Sequence, residues 1–209
     1  MIRYNHIAIE GNIGAGKTTL AKMLSRYLGS SLLLEEFEDN HFLKAFYNGK
    51  DFAVHAEIQF ILDRSKQLAD FFSKKHQLII SDYVPEKSLI FSKMNLSESE
   101  YKIIKDLTSV LYKNFQKPDL ILFIDRSTED LIENIIKRGR VYEQNIDGSY
   151  IENLNNGYED WLGEINCPVL RINANEIDIS HPEKLAESFK KLFQQEYSND
   201  QRVIQGIVH

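Results

Sequence analysis

The chain has 209 residues, enough for one α/β core that buries roughly 70% of its unfolded surface. Its 43% hydrophobic and 27% charged content excludes a disordered, collagen-like or coiled-coil protein. Thirty-one acids against 25 bases leave a net charge of −6, which argues against nucleic acid and anionic membranes as partners.

Five short apolar runs alternate with longer helical patterns, predicting a parallel sheet covered by helices on both faces. The first strand, His6 to Glu10, precedes a helix with Leu20, Leu24, Tyr27 and Leu28 on one face, stopped at Gly29. Ser31 to Leu34 is the second strand. A long amphipathic helix from about Ala53 to Lys74 follows, with Ile58, Ile61, Leu62, Leu68, Phe71 and Phe72 on its apolar side. Gln77 to Asp82 is the third strand, with helices expected over Glu86 to Lys93 and Glu98 to Asn114. Leu120 to Asp125 is the fourth, and Ser127 with Asp130 marks the next helix start. A helix over Ser149 to Leu162, a fifth strand at Val169 to Asn173 and a helix opened by Ser180 and Glu183 complete the pattern. Residues 198–209 read as a loose tail, and 1–209 as a single domain. Trp161 with Tyr158 reads as helix packing, and Cys167 as a small buried filler in a reducing, cytoplasmic setting. No run of 18 apolar residues and no export signal is visible.

Gly11-Asn12-Ile13-Gly14-Ala15-Gly16-Lys17-Thr18, followed by Thr19, fulfils the pattern Gly-x4-Gly-Lys-Ser/Thr between a strand and a helix. In that context backbone N–H groups turn toward phosphate oxygens at a helix N-terminus. Lys17 reaches the β and γ phosphates and the Thr18 hydroxyl suits Mg2+, so the stretch predicts a nucleoside triphosphate site. A hydrolytic switch and a small-molecule kinase both use such a loop, but no guanine-reading Asn-Lys-x-Asp occurs. Instead the second strand ends in Glu35-Glu36, at the sheet edge where open α/β folds bind ligands, and Glu35 there suits a base for an attacking hydroxyl. Asp82 ends the third strand and is a second candidate Mg2+ ligand, or a helix-capping acid. Lys137-Arg138-Gly139-Arg140-Val141-Tyr142-Glu143 has the make-up of an arginine-containing lid over transferring phosphates, covering about residues 138–148.

Together these stretches resemble the deoxyribonucleoside kinases from about Ile7 to Leu162, and most nearly the bacterial purine deoxynucleoside kinases, through Ile9 to Thr19 and Glu38-Asp39-Asn40. The resemblance implies a P-loop kinase fold of three layers, with a five-stranded parallel sheet flanked by helices. It implies a homodimer, ATP-dependent phosphorylation of a deoxynucleoside 5′-hydroxyl with Mg2+, and feedback inhibition by a deoxynucleoside triphosphate. By position it makes Glu35 the general base, with Glu36 as the alternative. Tyr47 and Glu143 fall where the family binds the sugar 3′-hydroxyl, Arg138 and Arg140 on the lid arginines, and Asn175 and Glu176 in the loop around the donor adenine. Glu57 and Arg64, seven residues and so two turns apart, occupy base-reading positions, the first usually glutamine. Phe52 is a candidate lining residue or a core aromatic.

The chain departs from the family where Asp82-Tyr83-Val84 replaces an Asp/Glu-Arg-Ser stretch, leaving Tyr83 beside the acceptor, and where Ser88 replaces an acid. An ionised Glu57 only accepts hydrogen bonds, and guanine offers two adjacent donors where adenine offers one donor beside an acceptor. The expected substrate is therefore a purine deoxynucleoside, deoxyguanosine ahead of deoxyadenosine. A thymidylate-type nucleoside monophosphate kinase shares the loop and lid, but would be expected to carry an Asp-Arg pair after strand three and an arginine after strand two. A nucleotide-binding module without transfer chemistry is the other alternative.

Overall fold

The computed structural model describes residues 1–36, 40–47, 49 and 51–204, leaving aside the side chains of Gln201 and Ile204; Glu38 and Asp39 lie outside this set. Six parallel strands, β1 (His6–Glu10), β2 (Ser31–Leu33), β3 (Ile79–Ser81), β4 (Leu120–Asp125), β5 (Val169–Asn173) and β6 (Gln201–Ile204), lie in the order β2-β3-β1-β4-β5-β6. Among the described residues eight α-helices connect or cover them: α1 (Lys17–Leu28), α2 (His41–Tyr47), α3 (Ala53–Phe72), α4 (Lys87–Asn95), α5 (Glu98–Tyr112), α6 (Thr128–Arg138), α7 (Gly148–Glu164) and α8 (Pro182–Leu192).

Burial explains the sheet. β1 and all of β4 except Asp125 are fully buried, as expected for central parallel strands covered on both faces. Ile7, Ile9, Leu122 and Leu170 face one layer, with α1 and α8 behind them. Ala8, Ile121, Phe123 and Val169 face the other, where Tyr158 lies tilted on Phe123 at 5.6 Å and Trp161 sits edge-on to Tyr158, the helix packing the sequence predicts. From β1 the chain crosses to β2 and β3 on one side, and later to β4 on the other. That reversal opens a crevice at the carboxyl end of β1, where the glycine loop begins.

The sheet has six strands, not the expected five. The extra strand falls within the expected loose tail: β6 pairs in parallel with β5 from Val169↔Gln201 to Ile172↔Ile204. An edge strand needs only its backbone satisfied on one side, so it carries exposed Arg202 and Val203 and, in four residues, only a Val-Ile pair as apolar signal. Helix α2 was also missed; its seven residues include none that are buried and only one basic residue at its end. Ser127 caps α6 as predicted, accepting from the Asp130 N–H. Ser180 does not cap α8: its N–H and hydroxyl both donate to Asp178, and His181 takes the cap position before Pro182. Cys167 is half-buried rather than buried, its thiol donating to two backbone carbonyls and pushed up to about 12 chiefly by burial. Among the described residues no helix is long and apolar enough to cross a membrane.

Candidate active site

The glycine loop is held open by its contacts. Gly11 and Gly14 have φ of 149° and 84°, and a Cβ on either would lie 2.7 Å from the Ile124 carbonyl oxygen or 2.6 Å from that of Leu131. Only glycine lets the loop pass that close to β4 and α6. The side chain of Asn12, a residue placed in the phosphate set by sequence, is a buried clamp: its amide donates to Ile151 O and Asn155 Oδ1, and its oxygen accepts from the Ile13 N–H. Gly16 takes the left-handed N-cap position of α1, and no described side chain caps that end. The positive end of a twelve-residue helix therefore faces outward, available to an anion. Lys17 Nζ folds back onto Gly11 O and Asn12 O at 2.8 and 2.9 Å. Burial, then repulsion from Lys87, pushes the Lys17 ammonium down to about 8.

Two cavities meet at this loop. The outer one is lined by Gly14, Ala15, Gly16 and Thr19 from the loop and by Arg126, Ile177 and Ile179 from the ends of β4 and β5. Asn175 and Glu176 lie on the short turn Ala174–Glu176, and the structure puts the neighbouring isoleucines, rather than these two, on the wall. Ile177 falls within the stretch from Asn173 to Asp178 that resembles the donor-adenine loop, whereas Arg126 and Ile179 were missed because isolated residues after a strand carry no pattern. The inner cavity is lined by Ile13, Glu35, Tyr47, Glu57, Arg64 and Glu143, together with Phe60, Lys87, Phe91 and Tyr150. Lys17, Thr18, Arg138 and Arg140 line both.

Between the cavities runs a chain of short contacts. The Thr18 hydroxyl donates to Asp82 Oδ2 at 2.5 Å, and Asp82 Oδ1 accepts the Glu35 N–H at 2.7 Å. Thr18 and Asp82 thus put two hard oxygen donors together at the helix N-terminus, a set that fits Mg2+. Among the described residues no cluster of three or more His, Cys, Asp or Glu gathers to hold a metal. A cation here would take its other ligands from phosphate and water.

Glu35 lines the inner cavity while Glu36 is exposed. Its carboxylate accepts from Arg64 Nη2 on one oxygen and from Lys87 Nζ at 2.9 Å on the other. Burial alone would raise its pKa, but Lys87 and Arg64 overcome that and hold the carboxyl well below the usual carboxylate range. Lys87 was not found from sequence; it opens α4, and only the packing of α4 against α3 brings it to Glu35. With Arg64 it gives Glu35 two cationic partners.

Deeper in, Glu57 is 9% exposed, and its Oε2 has no hydrogen-bond partner. Arg64 donates through Nη1 to Ser88 Oγ at 2.5 Å, while its Nε is unpartnered. Burial pushes the Glu57 carboxyl up to about 7, against the pull of Arg64 and a hydrogen bond from Ser88.

Tyr47 and Glu143 both line the inner cavity. Tyr47 stacks on Tyr142 at 6.2 Å and meets Tyr150 edge-on at 6.3 Å, and burial, Tyr150 and Glu143 all raise its phenol. Buried Glu143 receives Arg138 Nη2 on one oxygen and Arg140 Nη1 at 3.1 Å on the other. Both arginines thus end at the junction of the cavities, on the last turn of α6 and just beyond Gly139.

Two expected lining residues lie elsewhere. Phe52 packs on half-buried Phe42 and exposed His55 at 5.6 and 5.3 Å, in neither the cavity wall nor a buried core cluster, and Phe60 and Phe91 supply aromatic wall instead. Tyr83 is 1% exposed and donates to Gln67 Oε1 at 2.7 Å, with Arg64 over its ring at 5.7 Å. It supports Arg64 from behind and does not line the cavity.

The family model for deoxynucleoside kinase matches residues 7–196. A deoxyguanosine kinase of Bacillus subtilis is 43% identical over 157 residues, 73% of this chain and 76% of that protein. A deoxyadenosine/deoxycytidine kinase of the same organism is 30% identical over 191 residues, 87% of this chain and 88% of the other. Among solved structures, that of deoxyadenosine kinase from M. mycoides with bound dATP is 28% identical, has a TM-score of 0.76, and is matched over 90% of this chain and 98% of its own.

Proposed function

This chain belongs to the deoxynucleoside kinase family, and on that premise we propose that it moves the γ-phosphoryl group of ATP to the 5′-hydroxyl of a purine deoxynucleoside, deoxyguanosine ahead of deoxyadenosine, for nucleotide salvage. The observation that carries the reading is the meeting of two cavities at Lys17, Thr18, Arg138 and Arg140. A triphosphate laid along the glycine loop presents its γ-phosphoryl group at that junction, facing the inner cavity that holds Glu35.

Glu35 is the base in this reading. A carboxylate held ionised by two cations is always ready to accept a proton, although it is a weak base. Weakness suffices because the phosphoryl transition state is loose and the hydroxyl keeps its proton until transfer is advanced. Lys17, Arg138 and Arg140 offset the charge on the equatorial oxygens. Thr18 and Asp82 would hold Mg2+, which when bound would neutralise charge developing on the phosphate oxygens. Tyr47 and Glu143 receive the sugar 3′-hydroxyl and so place the 5′-hydroxyl near Glu35.

The base lies toward Glu57 and Arg64. The acid missing at Ser88 is present one helix away at Glu57, and Ser88 bridges it to Arg64. An unpartnered acceptor and an unpartnered donor, Glu57 Oε2 and Arg64 Nε, match the N1–H donor and O6 acceptor of guanine. Adenine presents the opposite polarity at both positions.

The same proposal takes residues 1–209 as one kinase domain with a lid at about 138–148, acting in the cytoplasm. Assembly as a homodimer draws support from Ile103 and Val110, two turns apart on α5 and both exposed. Feedback by a deoxynucleoside triphosphate draws support from the dATP bound in the M. mycoides enzyme. The central test is Glu35→Gln: turnover is expected to fall by about 10²- to 10⁴-fold with ATP binding retained, and near-normal turnover overturns the assignment.

A further inference from the structure

Glu57 faces charge from every side of the inner cavity. Arg64 lies on its own helix, Glu35 beyond β2, Lys87 on α4, and the phenols of Tyr47, Tyr112 and Tyr150 on α2, α5 and α7. None of these supplies a partner for Oε2, which is enclosed, and the residue that carries it lines the inner cavity. An acid in that setting presents two different hydrogen-bonding faces. As a carboxylate it only accepts; as a carboxylic acid it donates one proton and accepts with the other oxygen.

We propose that the proton on Glu57 selects between the two purines, the carboxylate pairing with guanine and the carboxylic acid with adenine. The carboxylate accepts from guanine N1–H and N2–H2. It cannot pair with adenine, because the adenine N1 lone pair then faces an anion. The carboxylic acid donates to adenine N1 and accepts from N6–H2. Guanine is less exclusive, since its O6 and N1–H also match the acid form. The asymmetry therefore falls mainly on adenine, whose binding takes up a proton from solvent above neutral pH. Burial brings the Glu57 pKa to about 7, so this proton is exchanged within the ordinary range and neither purine base titrates there. The proposal deepens the purine reading above and rests on it.

The test is a competition: deoxyguanosine and deoxyadenosine together with ATP, and the ratio of the two monophosphates measured from pH 6 to pH 8. Ionisation of Lys17 or Glu35 affects both products equally and cancels in the ratio. The guanine-to-adenine ratio is expected to rise about tenfold if guanine accepts both forms of Glu57, and up to about 100-fold if it requires the carboxylate. A change of less than about threefold overturns the proposal, and so does an equal rise in Glu57→Gln, which has no proton to exchange. If that variant fails to fold, calorimetry of deoxyadenosine binding to the wild-type protein at pH 8 in buffers of different ionisation enthalpy decides the matter. Uptake of close to one proton supports the assignment, and uptake of none overturns it. Absence of either monophosphate at any pH would instead overturn the purine reading itself.

Discussion

The proton on Glu57 can be weighed without any substrate. Its carboxyl rises from 4.5 to about 7 on folding, chiefly because burial disfavours the charged form. A folded pKa above the unfolded one stabilises the protein below pH 4.5, and this stabilisation is lost as pH climbs through 7. At roughly 1.4 kcal/mol for each tenfold change in proton affinity, the loss between pH 5 and pH 8 is about 2.5 kcal/mol. Glu57→Gln keeps the shape and removes the titration. Urea unfolding of both proteins at pH 5 and pH 8 should therefore show the variant gaining about 2.5 kcal/mol on the wild type over that interval. A stability difference independent of pH would mean that Glu57 is ionised normally in the folded protein, and would refute the reasoning from its burial.

Lys87→Met removes one of the two cations on Glu35 and should lower turnover by about ten- to 100-fold, the worth of one charge-assisted hydrogen bond. Because Lys87 is second only to burial in depressing Lys17, the alkaline fall of kcat/KM for ATP, expected near pH 8 as Lys17 loses its proton, should move to higher pH in that variant; an unmoved limb contradicts the coupling. Gly14→Ala places a methyl 2.6 Å from the Leu131 carbonyl oxygen at a φ of 84°. It should cost more than about 1 kcal/mol in thermal unfolding and abolish measurable ATP binding, whereas wild-type affinity would show that the loop has room to spare.

What could be read from sequence was local. The strand β1, the glycine loop and the start of α1 are contiguous, so spacing alone marked the loop and the strand and helix on either side of it. Glu35 and Asp82 were singled out because each follows a strand at the ligand edge of the sheet, and Glu143 only through the family resemblance. Lys87 was not, since nothing in α4 distinguishes it until α3 and α4 pack together around Glu35. Phe52 and Tyr83 carried the right chemistry for a pocket, but their side chains turn to other partners: position along a motif does not fix rotamer. The strand β6 escaped for a different reason. At a sheet edge the backbone supplies the pairing, and four residues with Arg202 and Val203 both exposed carry no buried face to read.

The most direct test of the account is ATP consumption measured in parallel with deoxyguanosine, deoxyadenosine, deoxycytidine, thymidine and thymidine monophosphate. The account predicts ATP use in proportion to added purine deoxynucleoside, fastest with deoxyguanosine at pH 8, and a 5′-monophosphate as product. Consumption indifferent to nucleoside, or greatest with thymidine monophosphate, would contradict it.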